Sequence, residues 1–286
     1  MIAFDYSYID KEFKVKFKPV SRKVKSWKEE LLISAQSIAN STNKPLYVLM
    51  SGGIDSEQVA RIFLELKMDF KVLTMKHKNG TNTHDIKYAI DFCQKYDIEQ
   101  TLVELDTEHF FSEEIERYIE QGYRSTNIYH YLQLFLIDEL EKLGGFGVGG
   151  AGEQVYYTVG NKINLRINPH YTLGMDYCKN NNYQHNFWLN LSTPEIYAAY
   201  LNIDLIDFLL KEPEYFISHH YASIEKIMVY HAEWPDMQKR NKYTGFEYIE
   251  STVRIPKQKE LSNRFPDLVD HYLPIENVKQ ELYDSI

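Results

Sequence analysis

Six consecutive residues carry the most explicit chemistry in this sequence: Ser51-Gly52-Gly53-Ile54-Asp55-Ser56. They follow a short apolar run, Pro45 to Met50, and precede a segment of helical periodicity, Glu57 to Lys67. A helix start presents backbone N–H groups without intrahelical partners at the positive end of its dipole, so it favours an anion. Gly52 and Gly53 let the main chain approach phosphate oxygens closely and can take left-handed dihedrals. Ser51 and Ser56 add hydroxyl donors. Asp55 is the informative residue. A carboxylate in an anion cradle repels the ligand unless a cation lies between them, which points to Mg²⁺ beside phosphate. The Gly-Lys-Ser/Thr ending of a Walker loop is absent.

A second glycine-rich run, Gly147-Val148-Gly149-Gly150-Ala151-Gly152-Glu153, satisfies the spacing Gly-x-Gly-x-x-Gly. It comes late in the chain and no clear helix follows it, so a dinucleotide fingerprint is a poor description. Both glycine loops follow strands and are expected on the same sheet edge. Around them, Asn82 and Asp85 read as an N-cap with its first-turn carboxylate. Tyr129 and Tyr131 are candidates for a pocket wall or for packing on a helix face. Cys93 falls on the buried stripe of a helix, whereas Cys178, in Asp176-Tyr177-Cys178-Lys179, is expected to be the more exposed thiol.

The elements that must position these residues begin with apolar alternation at Phe4, Tyr6, Tyr8 and at Phe13, Val15, Phe17, which predicts a hairpin. A helix over Ser26 to Ala39 follows, with Trp27, Leu31, Ala35 and Ile38 on one face. From residue 45 strands and helices alternate: strands at 45–50, 70–75, 100–105 and 146–148, helices at 57–67, 83–96, 108–121 and 129–142. That rhythm predicts a parallel α/β sheet with helices on both faces and ligands beyond the carboxyl ends of the strands. Residues 156–286 read as a mostly helical region covering that edge, with helices at 193–202, 203–210 and 221–233. The division is then 1–43, hairpin and helix; 44–155, sheet domain; 156–286, helical cover.

With 286 residues and a net charge of −9, the chain is not one whose whole surface is a nucleic-acid footprint. Two cysteines make neither a disulfide framework nor a four-thiolate zinc site and fit a reducing compartment. The first residues lack the basic and apolar regions of an export signal, and no apolar run spans a bilayer. A soluble cytoplasmic protein is expected.

The pattern Ser-Gly-Gly-hydrophobic-Asp-Ser, between a strand and a helix near the start of the sheet, closely resembles the PP-loop (N-type) ATP pyrophosphatase family over about residues 44–155. The resemblance implies a Rossmann-like adenine nucleotide alpha-hydrolase (HUP-type) fold that uses ATP and Mg²⁺. Ser51, Gly52, Gly53, Asp55 and Ser56 would hold the phosphates, Asp55 with the metal. The adenine would lie against the second strand of the sheet, near Leu73 to Met75, met mainly by backbone groups. Gly149 and Gly150 would complete the nucleotide site. In asparagine synthetase-like enzymes a Gly-Glu-Gly-Ala-Asp-Glu loop stands where this chain has Gly150-Ala151-Gly152-Glu153. Ala151 replaces a glutamate used in amide formation, and Glu153 is left as metal ligand, base or structural residue. Arg240, Lys242, Arg254 and Lys257 are candidate phosphate clamps or surface cations, with Lys242 the catalytic candidate.

What the resemblance implies for activity is adenylation of a small-molecule substrate with release of pyrophosphate, then amide or C–N bond formation. Residue 2 is Ile, and the stretch before the loop is short for a fused glutaminase. Ammonia would therefore come free or from a separate subunit, and a homodimer is compatible with this. Sulfur transfer to RNA, through Cys178, and nucleotide binding without turnover are the alternatives.

Overall fold

The computed structural model describes residues 2–9, 12–150, 155–159, 162–167, 172–184, 186–203, 229–238, 240, 245–268 and 271–283. The expected hairpin is present. Strands β1 (Phe4–Ile9) and β2 (Glu12–Phe17) pair antiparallel, with Phe4 opposite Phe17 and Tyr8 opposite Phe13. Phe4 and Phe17 both meet the Tyr197 ring edge-on. Helix α1 (Trp27–Asn40) opens with a capping box. The Ser26 hydroxyl accepts from the Glu29 N–H, and the Glu29 carboxylate accepts from the Ser26 N–H. Its stripe of Trp27, Leu31, Ala35 and Ile38 is buried, as the spacing predicts.

The centre of the molecule is an α/β unit with a Rossmann-like parallel sheet. Strand β3 (Leu46–Leu49) leads to helix α2 (Ile54–Glu65), β4 (Lys71–His77), α3 (Thr83–Tyr96) and β5 (Gln100–Leu105). The next stretch combines α4 (Thr107–His109), a π-helical turn (Phe110–Glu114) and α5 (Ile115–Glu120) where the periodicity predicts one helix. Helix α6 (Ile128–Lys142) then delivers the chain to β6 (Phe146–Gly149). The strand order is β5-β4-β3-β6, closed by a fifth strand described below. The chain therefore moves outward from β3 to β5, then returns to β6 on the other side of β3. That reversal is a topological switch point, the crevice where ligands of open parallel sheets bind.

Alternation along β3 divides its core contacts. Tyr47 clusters with Leu73 and Leu140, with Leu49 and Leu136 packed beside them, whereas Val48 and Met50 belong to the main core with Val59, Ile62 and Phe63. Side chains of a strand alternate faces, so the sheet is covered on both.

Beyond residue 155 the described residues add strands that the helical reading does not include. Strands β7 (Val155–Val159) and β8 (Lys162–Ile167) pair antiparallel. After helix α7 (Leu173–Asn180), strand β9 (Asn186–Trp188) pairs parallel with β6 and becomes the fifth strand of the central sheet. Helix α8 (Pro194–Leu201) is capped by the Thr193 hydroxyl, with Pro194 in its first turn. After the helix Ile255–Arg264, strand β10 (His271–Pro274) joins β8 in a small antiparallel sheet, and the helix Ile275–Tyr283 follows. Residues 229–233 are helical, while all but the first residue of the predicted helix at 203–210 and the first part of that at 221–233 lie outside the described residues. Among the described residues, no helix is long and apolar enough to cross a membrane.

His77 ends β4 in full burial, its Nδ1 2.9 Å from the Thr81 hydroxyl and its ring 4.6 Å from that of Phe246. Burial pushes the imidazole down to about 4, against the opposing pull of Glu247. An unfolded chain takes up this proton near 6.5 while the folded one refuses it, so stability falls as pH drops from about 6.5 towards 4. Urea denaturation across that range should show the fall, and His77→Phe should show a shallower one.

Candidate functional site

The cradle is built at the switch point from two close backbone approaches. Gly52 has φ 96°, and a Cβ placed on it would lie 2.1 Å from the Asp85 carbonyl oxygen at the start of α3. Gly150, just past β6, has no room either: its Cβ would lie 2.1 Å from the Asp55 carbonyl oxygen and 2.7 Å from the Ser56 Cα. The two glycine loops meet, as their positions after strands predict. Register explains it, because Leu49 at the end of β3 stands beside Gly149 at the end of β6.

Within the loop, the Ser51 hydroxyl accepts from the Gly53 N–H at 3.3 Å, and Gly53 is the N-cap of α2. The Ser56 hydroxyl is buried and donates to the Gly53 carbonyl at 2.9 Å. Asp55, half-buried in the first turn, accepts from the Tyr230 phenol at 3.0 Å. Tyr230 is itself buried and stacks on Trp27, centroids 5.6 Å apart and rings 4° from parallel. The segment carrying it is anchored further by Trp234, whose indole N–H donates to Glu65 at 2.6 Å. No motif in the sequence marks Tyr230. Its only signal is a place among Val229, Tyr230 and Trp234, which reads as ordinary packing.

Glu57, next along α2, is 5% exposed and held by two guanidiniums, Arg61 and Arg240, each at 2.7 Å. Arg240 also lies over the Tyr88 ring. This places one candidate phosphate clamp behind the first turn of α2 and not in the crevice. A second, Lys257, is largely buried and pairs with Glu116 of α5 and Glu260 of its own helix, Ile255–Arg264. Arg254 begins that helix as its N-cap. Lys242, Ala151 and Glu153 lie outside the described residues.

Below the loop opens a cavity of about 380 Å³, inside the range of small-molecule sites. Ser51 and Gly53 line one end. Leu49, Leu73 and Met75 form the sheet wall; Tyr129, Leu132, Gln133 and Leu136 form the opposite wall. These last four share one face of α6 by their three- and four-residue spacing. Tyr131 points elsewhere, fully buried, with its hydroxyl accepting from the Ser125 N–H. Asn82 caps nothing with its side chain. Its amide donates to the Met75 carbonyl at 2.9 Å and accepts from the His77 N–H at 2.8 Å, continuing the ladder of β4 in place of a strand. Short polar side chains can bond nearby backbone in this way, and here that option wins over the cap.

Both cysteines are buried. Burial pushes the Cys93 thiol up to about 11 and raises that of Cys178 as well, with Glu141 and Asp138 adding to the effect. Cys178 is thus not the exposed thiol expected from its polar neighbours, because α7 turns it inward.

The cradle fits a nucleotide and a metal in kind. Two glycines let the neighbouring backbone close on the loop and on the first turn of α2, and the apolar slot suits a planar base. Among the described residues no group of three or more histidines, cysteines and carboxylates forms a metal cage. Asp55 is the carboxylate on the first turn of α2, and Mg²⁺ is commonly held by one or two carboxylates together with substrate phosphates.

Neither a protein-family model nor a curated protein matches the chain. Solved structures resemble it at low similarity. One is the NH3-dependent NAD synthetase from Campylobacter jejuni subsp. jejuni, at 16% identity, covering 85% of this chain and 94% of that one, TM-score 0.36. Another is the NMN synthetase from Francisella tularensis, at 12% identity, covering 84% and 92%, TM-score 0.37. A third is the U34-tRNA thiolase from Methanococcus maripaludis, at 12% identity, covering 89% and 75%, TM-score 0.38. At these identities and TM-scores the likeness says nothing of what this chain binds.

The two close approaches make a direct prediction. Gly150→Ala and Gly52→Ala should each destabilise the fold by roughly 1–3 kcal/mol, from overpacking at the first and from added left-handed strain at the second. Chemical denaturation measures this. A substitution at Gly53, whose Cβ would meet only the Ser51 hydroxyl at 3.4 Å, should cost clearly less.

Proposed function

We propose that the chain binds ATP at Ser51–Ser56 and transfers its adenylyl group to a small-molecule substrate, releasing pyrophosphate. Amide or C–N bond formation would follow, as in an asparagine synthetase-like ligase. One observation carries the reading. A helix start at the switch point of a parallel sheet is packed closely by backbone at Gly52 and Gly150, holds a carboxylate, and opens onto an apolar slot.

In this scheme a substrate oxygen attacks the α-phosphorus and the bond to the pyrophosphate oxygen breaks. Negative charge grows on the leaving group. Backbone N–H groups at the start of α2 and the hydroxyl of Ser51 would face that charge, preorganised by the fold. Magnesium, when bound, would neutralise part of the same charge, and Asp55 would hold it. Tyr230 is a positioning residue that fixes the Asp55 carboxylate through its phenol. The adenine would lie in the slot between Leu73 and Met75 and α6. Arg240 pairs with Glu57 through one guanidinium nitrogen, and Lys242 and Glu153 are the candidates for the clamp and the base.

Sulfur transfer fits less well. The nucleophile there is a thiolate, and both thiols are buried with raised pKa values. Nucleotide binding without turnover predicts no pyrophosphate at all.

Incubation with ATP, Mg²⁺, ammonia and a panel of carboxylates should yield AMP and pyrophosphate in equal amounts. Release of ADP and phosphate would sink the scheme. Asp55→Asn should slow the reaction by roughly 100-fold or more while the protein stays folded. Tyr230→Phe should raise the Mg²⁺ concentration needed for half-maximal rate by roughly 10-fold.

A further inference from the structure

The slot contains a polar group for which neither the fold nor the proposed phosphate chemistry has a use. Gln133 lies on the α6 wall, one turn from both Tyr129 and Leu136, and its carboxamide oxygen is buried without a hydrogen-bond partner among the described residues. A buried orphan acceptor is unfavourable, so an apolar side chain at this position would serve packing better. Its neighbours along the same face, Leu132 and Leu136, are apolar. A carboxamide kept in such a wall, beside a cavity of ligand size, points to a ligand donor that it accepts.

The opposite wall narrows what that donor is. The Leu73 carbonyl already accepts from the Met50 N–H at 2.9 Å. The Met75 carbonyl accepts from Asn82, whose own oxygen is taken by the His77 N–H. Each of these carbonyls on the β4 side of the slot therefore already has a donor, whereas the Gln133 oxygen has none among the described residues. A planar base between Leu73 and Leu132, with its sugar directed to the Ser51 end, would carry its exocyclic amine past apolar side chains. Gln133 would be the group to receive it.

We propose that Gln133 reads the 6-amino group of a purine nucleotide, its oxygen accepting from the amine and its amide N–H donating to the adjacent ring nitrogen. A carboxamide matches this donor–acceptor pair of adenine in a single plane. Gln133 is then a specificity-determining residue for the base, in addition to any backbone contact. This inference rests on the nucleotide reading of the cavity.

A thermodynamic cycle tests it by removing the amine from the ligand and the amide from the protein. The ligands are ATP and purine riboside 5′-triphosphate, which lacks only the 6-amino group; affinities are measured by calorimetry with Mg²⁺ present. The proteins are wild type, Gln133→Leu and Gln133→Ala, each checked for a cooperative thermal transition so that at least one folded variant enters the cycle. Wild type should bind ATP roughly 10-fold or more tightly than the deaminated analogue. In the folded variants that preference should shrink to about twofold or less, because the partner of the amine is gone. Unchanged preference in the variants, with ATP still bound, overturns the role of Gln133 and leaves the nucleotide site standing. A wild type indifferent to the amine does the same. Failure of wild type to bind either triphosphate overturns the nucleotide reading, and this inference falls with it.

Discussion

The loop before α2 and the first turn of that helix are each met by backbone so closely that no side chain fits between them. Gly52 abuts the Asp85 carbonyl and Gly150 abuts the Asp55 carbonyl, each so closely that a single methyl group would overlap an oxygen. The pairing of β3 with β6 brings the second of these contacts about, and the reversal of strand order at β3 leaves the crevice open above it. Because the helix start is fixed in this way, its unpaired N–H groups point in one direction before any ligand arrives. Electrostatic work done by such a site needs little reorganisation at the moment of reaction.

Two carboxylates, Asp55 and Glu57, occupy that first turn, and both complement the helix dipole. Both would also oppose an incoming phosphate, but their surroundings treat them differently. Glu57 is enclosed by Arg61 and Arg240, so its charge is neutralised locally. Removing one member of such a buried group commonly costs about 3–5 kcal/mol, because an unpaired charge is left behind. Asp55 accepts a hydrogen bond from the Tyr230 phenol, which orients the carboxylate. Trp27 from the N-terminal part and Tyr230 from the C-terminal part stack to support it, which gives both flanking regions a part in the site.

The α/β core was readable because its signals are local and agree with one another. Apolar runs bounded by glycine or polar turns mark β3 to β6, and the apolar spacing of Ile86, Ala89 and Cys93 marks α3. The loop Ser51–Ser56 was readable for the same reason: glycine, hydroxyl and carboxylate have distinct physical uses at a helix start. Elements beyond residue 155 were harder. Strand β9 is three residues long, too short for any periodicity, and its place in the sheet is set by β6. The runs Val155–Val159 and Lys162–Ile167 do carry strand chemistry, and Gly160-Asn161 between them is a turn signal that the mostly helical reading passes over. Tyr230, Glu57 and Gln133 are of another kind. Their significance lies in contacts across the fold, between positions as distant as Asp55 and Tyr230, which no window of sequence spans.

The slot follows from the same alternation that makes the core. Along β3, Tyr47 and Leu49 face the side of the sheet that carries Leu140 and Leu136 of α6. Side chains fill that layer while the strands last. Past Leu49 the chain turns away into the glycine loop, whereas β4 runs on to His77 and α6 extends back to Ile128. The apolar layer therefore outlasts the strand that filled it, and Leu73, Met75, Leu132 and Leu136 are left facing a gap. Asn82 closes the ladder of β4 at its far end, so the gap does not collapse onto exposed backbone. A flat apolar ligand bound here would restore the missing layer. Its polar edge would then fall where α6 offers Gln133 in place of another leucine, and this is why shape and hydrogen bonding point to the same class of occupant.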